Sequence, residues 1–295
     1  MIEMIKMIKR ILDKVHKAYN SLIYYSYPIS KKILIDADMT QRNFGDDMNV
    51  FLVEAITGKK VFLARNIFHK NLTKYLIIGS ILEWFTDENS IVWGSGAMYG
   101  DRKVRKPKQI CAVRGKFSRE LLLRNNIECP EIYGDPALLL PILYSPKVEK
   151  KYRLGIIPHV AHRDNLQIRG LCSQSGVKFI DFGNYTNWKD VVEQINECSA
   201  IASSSLHGLI LADAYKIPNV WFSTAYCLTG GTFKFCDYFS GVGRETATSP
   251  IFLDESVTVD SLLERAKEYK GIDWNPEPLI KAAPFKLKNL QPITW

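Results

Sequence analysis

The stretch that decides the fold is AIASSSLHGLILADAYKIPNVW, residues 200–221. A short apolar segment passes through three serines into an apolar run of helical length, and a second strand-like segment follows Pro218. We expect residues 200–204 to form a strand, residues 206–216 a helix, and residues 217–223 the next strand. A strand, a helix and a strand in this order are typical of a parallel sheet.

The same alternation extends in both directions along the sequence. Strand-like segments such as KKILIDAD (31–38), TKYLIIGS (73–80) and RLGIIPH (153–159) alternate with helical ones, and the polar stretch SPKVEKKYR (145–153) divides the series. The sequence therefore predicts an α/β fold of two doubly wound, Rossmann-like halves. Ligands of such sheets bind beyond the carboxyl ends of the strands, so we expect a site in the cleft between the halves.

Four segments describe the expected domain organisation. Residues 1–28 form an N-terminal helix, residues 29–148 a first α/β domain, residues 149–270 a second α/β domain, and residues 271–295 a tail that could pack back on the first domain.

Composition narrows the classes of partner. The 295 residues are 46% hydrophobic and 24% charged, with a net charge of +8, which favours an anionic partner such as a phosphorylated substrate, an acidic membrane or a nucleic acid. The basic residues are spread out and no basic motif rich in aromatics occurs, which argues against nucleic acid. The six cysteines form no C-x-x-C pair and no ligand cluster has suitable spacing, so no metal site is expected. The longest apolar runs are too short to span a membrane, and the N-terminus lacks the features of a signal peptide.

The N-terminal 25 residues read as one amphipathic helix. Apolar or aromatic residues occur at positions 1, 5, 8, 12, 15, 19 and 22, and basic residues at 6, 9, 10, 14 and 17 occupy the other side. Such a helix can lie on an anionic membrane surface. Alternatively, the apolar side packs on the domain or on a second copy of the protein, and the lysines are only solvated.

The SSSLHG junction is the first candidate site. A helix that begins near Ser205 directs unpaired N–H groups and the positive end of its dipole into the cleft, which suits an anion. His207 lies in the first turn, where a bound anion would raise its pKa and make it a proton donor. Taken alone, a histidine in this position is more often a structural residue bonded to the backbone nearby.

Other candidates follow strands elsewhere. WGSGA (93–97) could turn the amides of Gly94, Ser95 and Gly96 toward a ligand, although a G-x-G is as often a tight turn. In NFGDD (43–47), Asp46 and Asp47 could accept a proton from a hydroxyl, or they could simply cap a helix.

Several cations also stand at strand ends. Arg114 follows one strand of the first half, His159 follows the first strand of the second half, and Lys234 follows a glycine-rich loop. Each alone would be expected to be solvated. Their convergence on one cleft, together with His207, is the stronger indication of an anion site.

The order of these motifs resembles the polysaccharide pyruvyl transferase family. The resemblance runs from about residue 43 to 244 and rests on NFGDD, WGSGA, AVRGKFSRELL, GDPALLLP, GIIPH, SSSLHGLILADAYKIPNVW and KFCDYFSGVGR. It implies two domains similar to GT-B glycosyltransferases, with residues 29–148 on the acceptor side and residues 149–270 on the donor side. It also implies transfer of the pyruvyl unit of phosphoenolpyruvate, a co-substrate rather than a cofactor, onto a sugar of a surface polysaccharide.

The resemblance also assigns roles to residues. The family's catalytic histidine matches His207 and its anion-binding arginine matches Arg114, while Ser204 and Ser205 at the helix start would hold the donor. The sequence departs from the family in having Ser205-Leu206-His207 where many members have Arg-Leu-His. The cation missing there could be replaced by His159, Lys234 or Arg244.

The acceptor implied by the resemblance is a lipid-linked repeat unit carrying a galactose-type sugar, and the product is a ketal. Such an acceptor predicts a cytoplasmic protein bound peripherally at the inner face of the cell membrane. Two other functions stay open on the sequence alone. One is a nucleotide-sugar glycosyltransferase of the same architecture, and the other is a non-catalytic polysaccharide assembly protein.

Overall fold

A computed structural model describes residues 1–224, 230–244 and 249–288 of the protein. Its framework is two five-stranded sheets whose strand pairs are all parallel. The strands of the first sheet are β1 (Lys32–Ile35), β2 (Lys60–Leu63), β3 (Lys74–Leu76), β4 (Ser90–Trp93) and β5 (Gln109–Ala112). Those of the second are β6 (Leu154–Ile157), β7 (Val177–Phe179), β8 (Ile201–Ser203), β9 (Asn219–Ser223) and β10 (Ile251–Phe252).

The two sheets share one topology. The strand order is β2-β1-β3-β4-β5 in the first and β10-β9-β8-β6-β7 in the second, which is the same order read from the opposite edge. In each sheet the strand order changes direction at one point, so that the chain adds strands first toward one edge and then toward the other. This point lies between β1 and β3 in the first sheet and between β6 and β8 in the second. Ligands of doubly wound sheets bind at these switch points. The prediction of two Rossmann-like α/β halves is confirmed.

Helices connect and cover the strands. They are α1 (Ile2–Ser26), α2 (Phe44–Thr57), α3 (Leu82–Phe85), α4 (Lys116–Arg124), α5 (Leu140–Leu143), α6 (Leu166–Cys172), α7 (Trp188–Asn196), α8 (Leu206–Ala214), α9 (Phe233–Gly241), α10 (Val259–Lys267) and α11 (Pro276–Lys281). Side-chain caps account for several starts, including Asn43 before α2 and Asn187 before α7. Helix α8 is shorter than the sequence predicts, because Lys216 adopts a left-handed φ of 56° just before the Ile217–Pro218 pair.

The two halves share one core. A single cluster of buried apolar side chains includes Phe44 and Met48 of the first half and Phe182 and Leu209 of the second. Phe44 also donates its backbone N–H to the carbonyl of Phe182 at 2.8 Å. Packing of this kind brings the carboxyl ends of the two sheets to one cleft.

The segment that follows α10 lies against the first half. The indole Nε1 of Trp93 donates to the carbonyl of Leu279 at 2.8 Å, and that of Trp274 donates to the carbonyl of Tyr133 at 2.8 Å. The backbone N–H of Lys288 reaches the carbonyl of Ile56 at 2.6 Å. Residues 289–295 of the predicted tail lie outside the described residues.

Helix α1 contacts the first half through its C-terminal part. Ser21 accepts the backbone N–H of Phe68 at 2.7 Å, and the Tyr24 ring packs edge-on against Phe62. None of the helices within residues 1–224, 230–244 and 249–288 is long and apolar enough to cross a membrane.

Candidate functional site

A cavity of about 620 Å³ opens at the two switch points. Loops after β1 and β3 form one wall, and loops after β6 and β8 form the other, joined by the start of α9. Its lining residues are Asp38, Gln41, Asn43, Asp46, Ser80, Ile81, Trp84, Met98, His159, Ala161, His162, Asp164, Asn165, Ser205, Leu206, His207, Thr224 and Lys234.

The three serines of SSSLHG shape the turn from β8 into α8. Ser203 Oγ accepts the N–H of Ser205 at 3.0 Å and donates to the carbonyl of Ile157 at 2.8 Å. Ser204 Oγ accepts the N–H of His159 at 3.0 Å, which ties the loops after β6 and β8 together. Ser205 is the N-cap, but its side chain bonds none of the first-turn N–H groups. Those amides of the nine-residue helix are therefore available to a ligand in the cavity.

His207, from the second half, is held between two groups of the first half. A Cβ added to Gly45 at the start of α2 would lie closer than 3.0 Å to Nδ1 and Cγ of the ring, so only glycine leaves room for the imidazole there. On the other side, Nε2 faces Asp135 Oδ2 at 4.0 Å, and neither of these buried atoms has a hydrogen-bond partner in the described part of the protein. Nε2 is therefore closed off, while the residue itself lines the cavity.

Burial sets the charge of this pair. It lowers the pKa of His207 to about 3, and the positive charges of Arg114 and Lys234 add to the effect. Burial raises the pKa of Asp135 to about 7, against the hydrogen bond from Ala137 and the charge of Arg114. Without a bound anion the imidazole is thus neutral at pH 7 and the carboxyl is poised to titrate.

Lys234, at the start of α9, is the cation of the cavity wall. Its side chain is 7% exposed, and no described residue forms a salt bridge with it. Burial lowers the pKa of Lys234 to about 8, and the attraction of Asp46 partly offsets this. A buried ammonium without a salt-bridge partner is a ready binding group for an anion.

His159 lies beside Lys234 on the same wall. Its Nδ1 accepts the backbone N–H of Ala161 at 3.2 Å, and burial together with the charge of Lys234 lowers its pKa to about 3. The neighbouring His162 contacts Thr224. At neutral pH these rings offer neutral hydrogen-bonding groups.

The two acidic candidates of NFGDD, Asp46 and Asp47, lie in different surroundings. Asp46 lines the cavity and accepts a hydrogen bond from Asn43 Nδ2 at 2.8 Å. Burial raises the pKa of Asp46 to about 7, and the nearby carboxylate of Asp38 contributes. Asp47 does not line the cavity and instead accepts a short hydrogen bond from the hydroxyl of Tyr185.

Arg114 lies beneath the cavity rather than in its wall. Its guanidinium is fully buried and bonded to Asp237 Oδ2, the Ser80 hydroxyl and the carbonyl of Ala97, at 2.6–2.9 Å. Gly96 covers it, since a Cβ there would overlap the guanidinium. All three of its nitrogens bond protein groups, and Arg114 is not among the described residues that line the cavity. This arrangement disfavours the predicted contact of Arg114 with a substrate carboxylate or phosphate. Arg114 acts on the site through its charge and through its bond to Ser80, which lines the cavity.

The candidates of the WGSGA loop, Gly94, Ser95 and Gly96, are also packed inside the protein and not in the cavity wall. Gly94 has a φ of 97° and packs against Pro136, and Ser95 is completely buried. None of Gly94, Ser95 and Gly96 is among the described residues that line the cavity.

Arg244 lies elsewhere. Its guanidinium donates to Asp213 at 3.1 Å and to the side-chain oxygen of Asn219 at 2.7 Å, and it lines a separate cavity with Tyr269. The structure therefore brings His207, Asp46, His159, Ser205 and Lys234 to one cavity, with Ser204 directly behind them, and leaves Arg244 outside it.

Other residues of the site were not predicted from the sequence. Asp135 belongs to the GDPALLLP motif, but nothing in the sequence pairs it with a histidine 72 positions later. No pattern in the sequence marked Asn43, Gln41 or Trp84 as a binding residue. For Trp84 the reason is that an aromatic residue after a short strand usually belongs to the core.

The two walls differ in charge. Among the described lining residues, Lys234 is the only lysine or arginine, and it shares its side with the histidines, the start of α8, Asp164 and Asn165. Asp164 is paired with Arg169 at 3.1 Å, so its charge is already balanced on that side. The opposite wall carries Asp38, Asp46 and two amides. One wall thus suits an anion and the other suits hydroxyl groups, with His207 between them. The described residues include no cluster of three or more His, Cys, Asp or Glu side chains able to hold a metal ion.

Two known proteins are similar in sequence to this protein over most of its length. It is 29% identical over 222 residues to the uncharacterized protein L143 of Acanthamoeba polyphaga mimivirus, covering 73% of this sequence and 76% of that protein. It is 26% identical over 247 residues to the succinoglycan biosynthesis protein ExoV of Rhizobium meliloti (strain 1021), covering 80% of this sequence and 73% of the relative. No solved structure matches the sequence.

A family model gives the more specific result. The model described as polysaccharide pyruvyl transferase matches residues 7–226, a range that takes in the whole first half and the second half through β9. This range includes NFGDD, the Asp135 loop and the SSSLHG turn, from which the cavity is built. The protein therefore belongs to the polysaccharide pyruvyl transferase family.

Proposed function

We propose that the protein transfers the pyruvyl unit of phosphoenolpyruvate onto a galactose-type sugar of a lipid-linked surface polysaccharide repeat unit, in a cleft of the GT-B type. The observation that carries this proposal is the division of one cavity into a cationic wall and a hydroxyl-binding wall with His207 between them. The pyruvyl transferases, and succinoglycan biosynthesis in one relative, supply the class of acceptor.

The donor binds at the cationic wall. Phosphoenolpyruvate carries about three negative charges at neutral pH and needs both N–H donors and cations. The start of α8 supplies amides and Lys234 supplies the charge. In this proposal Lys234 takes the place of the arginine that many family members carry at the position of Ser205.

Donor binding also charges His207. Raising its pKa from about 3 to neutrality requires the anion to favour the imidazolium by about 5 kcal/mol, at 1.36 kcal/mol per pKa unit. One unit charge 4 Å away contributes about 4 kcal/mol at an effective dielectric constant of 20. A trianion beside the ring is therefore sufficient, and the imidazole becomes an acid only when the donor is present.

The reaction then follows in balanced steps. The His207 imidazolium gives its proton to C3 of the donor, and C2 becomes electrophilic. A sugar hydroxyl attacks C2 and loses its proton to Asp46, whose pKa of about 7 suits a base at neutral pH. The C2–O bond to phosphate breaks and phosphate leaves. A second hydroxyl of the same sugar then attacks C2 and closes the ketal, its proton returns to the imidazole of His207, and Asp46 releases its proton to solvent.

The membrane-facing part of the proposal rests on α1. Large apolar side chains along it are exposed, among them Leu12 and Val15, each 61% exposed. Basic residues follow the other side, so an anionic membrane surface complements the helix. A peripheral position at the inner face of the membrane would bring the cavity to a lipid-linked acceptor.

Release of inorganic phosphate from phosphoenolpyruvate tests the reaction. We expect release only when a galactose-bearing acceptor is present, and we expect His207→Ala to slow it by about 10²–10⁴-fold. His16→Ala, at an exposed histidine of α1, is the matched control. Acceptor-dependent release that His207→Ala leaves unchanged would remove His207 from the mechanism. A melting temperature raised by a uridine diphosphate sugar and not by phosphoenolpyruvate would favour a glycosyltransferase instead.

A further inference from the structure

The hydroxyl-binding wall contains an exposed aromatic ring. Trp84 lines the cavity and is 42% exposed, although a tryptophan is among the most costly side chains to leave in water. It belongs to the short helix α3, which follows β3 at the switch point of the first sheet. A large apolar face kept open inside a polar cavity indicates that a ligand covers it.

The ring is held rigidly. Tyr99 meets Trp84 edge-on, with ring centroids 5.9 Å apart and an interplanar angle of 88°. The adjacent Glu83 accepts the backbone N–H groups of Met98 and Tyr99 at 2.9 Å and that of Gly100 at 3.3 Å, which fixes the loop that carries Tyr99. The guanidinium of Arg102 lies over the Tyr99 ring at 3.9 Å and over the Trp84 ring at 5.8 Å from its centroid, which adds a further contact that fixes the indole. A flat surface fixed in advance loses little entropy when a ligand binds.

The same loop reaches the donor side. A Cβ added to Gly100 would overlap the ring of Phe233, the residue before Lys234. Met98, on this loop, lines the cavity together with both Trp84 and Lys234. A ligand stacked on Trp84 therefore lies beside the site proposed for the donor.

The groups around Trp84 select the kind of ligand. On its wall lie the carboxylates of Asp38 and Asp46 and the amides of Gln41 and Asn43. These groups bind hydroxyls as acceptors and donors, and the carboxylates disfavour a second anion. A pyranose combines hydroxyls at its edge with a face of C–H groups, and such a face packs on the negative face of an indole.

We propose that Trp84 is the stacking platform for the pyranose ring of the acceptor, with Asp38, Gln41 and Asn43 bonding its hydroxyls. This inference rests on the proposed function and adds to it the position of the acceptor sugar. It assigns to α3 a specificity role that is independent of the donor-binding residues.

Steady-state kinetics of Trp84→Ala and Trp84→Phe test the platform. With a soluble galactose-terminated oligosaccharide, we expect Trp84→Ala to raise the acceptor KM about tenfold, with a change of less than about twofold in the KM for phosphoenolpyruvate. Trp84→Phe should recover most of the loss. Phe252→Ala, at another exposed aromatic, should leave both values unchanged. An unchanged acceptor KM, or an equal rise in both KM values, would overturn the proposal.

Binding without turnover separates this proposal from the reaction. Saturation-transfer NMR with the same oligosaccharide and no phosphoenolpyruvate should show contact with the wild type and its loss in Trp84→Ala at unchanged melting temperature. That result would support the platform even if no phosphate were ever released. Equal saccharide contact in wild type and Trp84→Ala, or none in the wild type, would refute it.

Discussion

Gly45→Ala would place a methyl group against Nδ1 of His207, closer than 3.0 Å, and so displace the imidazole from the position in which it meets the cavity. We expect kcat to fall at least about tenfold, as for loss of a positioned acid. The melting temperature should fall only modestly, because overpacking costs about 1–3 kcal/mol and alanine regains at most about 1 kcal/mol of helix propensity in this first turn. Gly170→Ala in α6 is the matched control, since its Cβ meets nothing within 4 Å. A wild-type kcat in Gly45→Ala would show that the ring position is unimportant.

Asp135→Asn tests the carboxyl that faces Nε2 of His207. Folding raises the pKa of Asp135 from 3.8 to about 7, so the folded protein holds a proton that the unfolded protein releases, and stability falls as the pH rises between these values. Asparagine does not ionise and keeps the bond to the N–H of Ala137. We expect the variant to be more stable than the wild type at pH 8, by up to about 1.4 kcal/mol for each unit by which folding raises the pKa of Asp135. At pH 4 the two proteins should have similar stability.

The same substitution should lower kcat, because no carboxylate remains to stabilise the imidazolium of His207. Higher stability combined with lower turnover is a result that a merely structural residue would not give. Urea unfolding at pH 4 and pH 8, with kcat measured at pH 8, checks both parts. An equal difference in stability at the two pH values would contradict the assignment.

The contrast between Lys234 and Arg114 shows what a sequence reveals about single residues. Both follow loops of the expected kind, and the alternation of strands and helices suffices to direct them toward one cleft. What decides between them is the partner. Asp237 neutralises Arg114 from 123 positions away, whereas no described residue forms a salt bridge with Lys234. A pairing at that separation leaves no local pattern, so the residues alone could not separate the two cations, and the family resemblance favoured Arg114.

At the scale of elements, α1 is attached to the domain by a side that combines polar residues with the buried ring of Tyr24. Ser21, Tyr24 and Lys17 contact the first half, and the apolar stripe lies on the opposite side of the helix. When Met4, Met7 and Ile11 are included, the exposed apolar side chains cover a sector of about 160° around the helix axis, at 100° per residue. A two-stranded coiled coil needs a narrower seam, so the width favours a membrane surface over a second copy of the protein.

We therefore expect Leu12→Asp/Val15→Asp to lose binding to vesicles that contain anionic lipid, because two charges would enter the apolar sector. Activity on a soluble acceptor should be unchanged. Leu166→Asp, at an apolar residue that is 86% exposed on another helix, is the matched control and should still bind. Co-sedimentation measures binding and light scattering measures mass. Wild-type vesicle binding by the double variant, or a dimer that the double variant converts to a monomer, would show that the stripe serves another purpose.

The elements themselves were largely predictable, and their assembly was not. Apolar periodicity and the serine, asparagine and glycine signals locate the strands and helices that bound the cavity. Nothing in the sequence indicates that both sheets share one strand order, or that α9 of the second half packs against α4 of the first. The packing of α9 on α4 depends on close backbone approach at Gly115 and Gly241, where a Cβ would overlap the facing backbone.

For the whole molecule, the decisive contact is the buried ion pair between Arg114 and Asp237. It joins the strand end before α4 in one half to α9 in the other, and Asp237 also accepts the N–H and hydroxyl of Ser118 at 2.7 Å. Asp237→Ala would leave the guanidinium buried and without a counter-ion, which costs about 3–5 kcal/mol. Asp260→Ala, which breaks the exposed pair with Arg153, should cost at most about 1 kcal/mol.

Urea unfolding followed by both fluorescence and circular dichroism measures these costs. We expect one coincident transition in the wild type, because the halves share a core and this ion pair. Since α9 also carries Lys234, Asp237→Ala should raise the KM for phosphoenolpyruvate as well as lower stability. The acceptor KM should change less, because Trp84 lies on the other wall. A loss of under about 1 kcal/mol in Asp237→Ala would mean that the buried pair does not hold the two halves together.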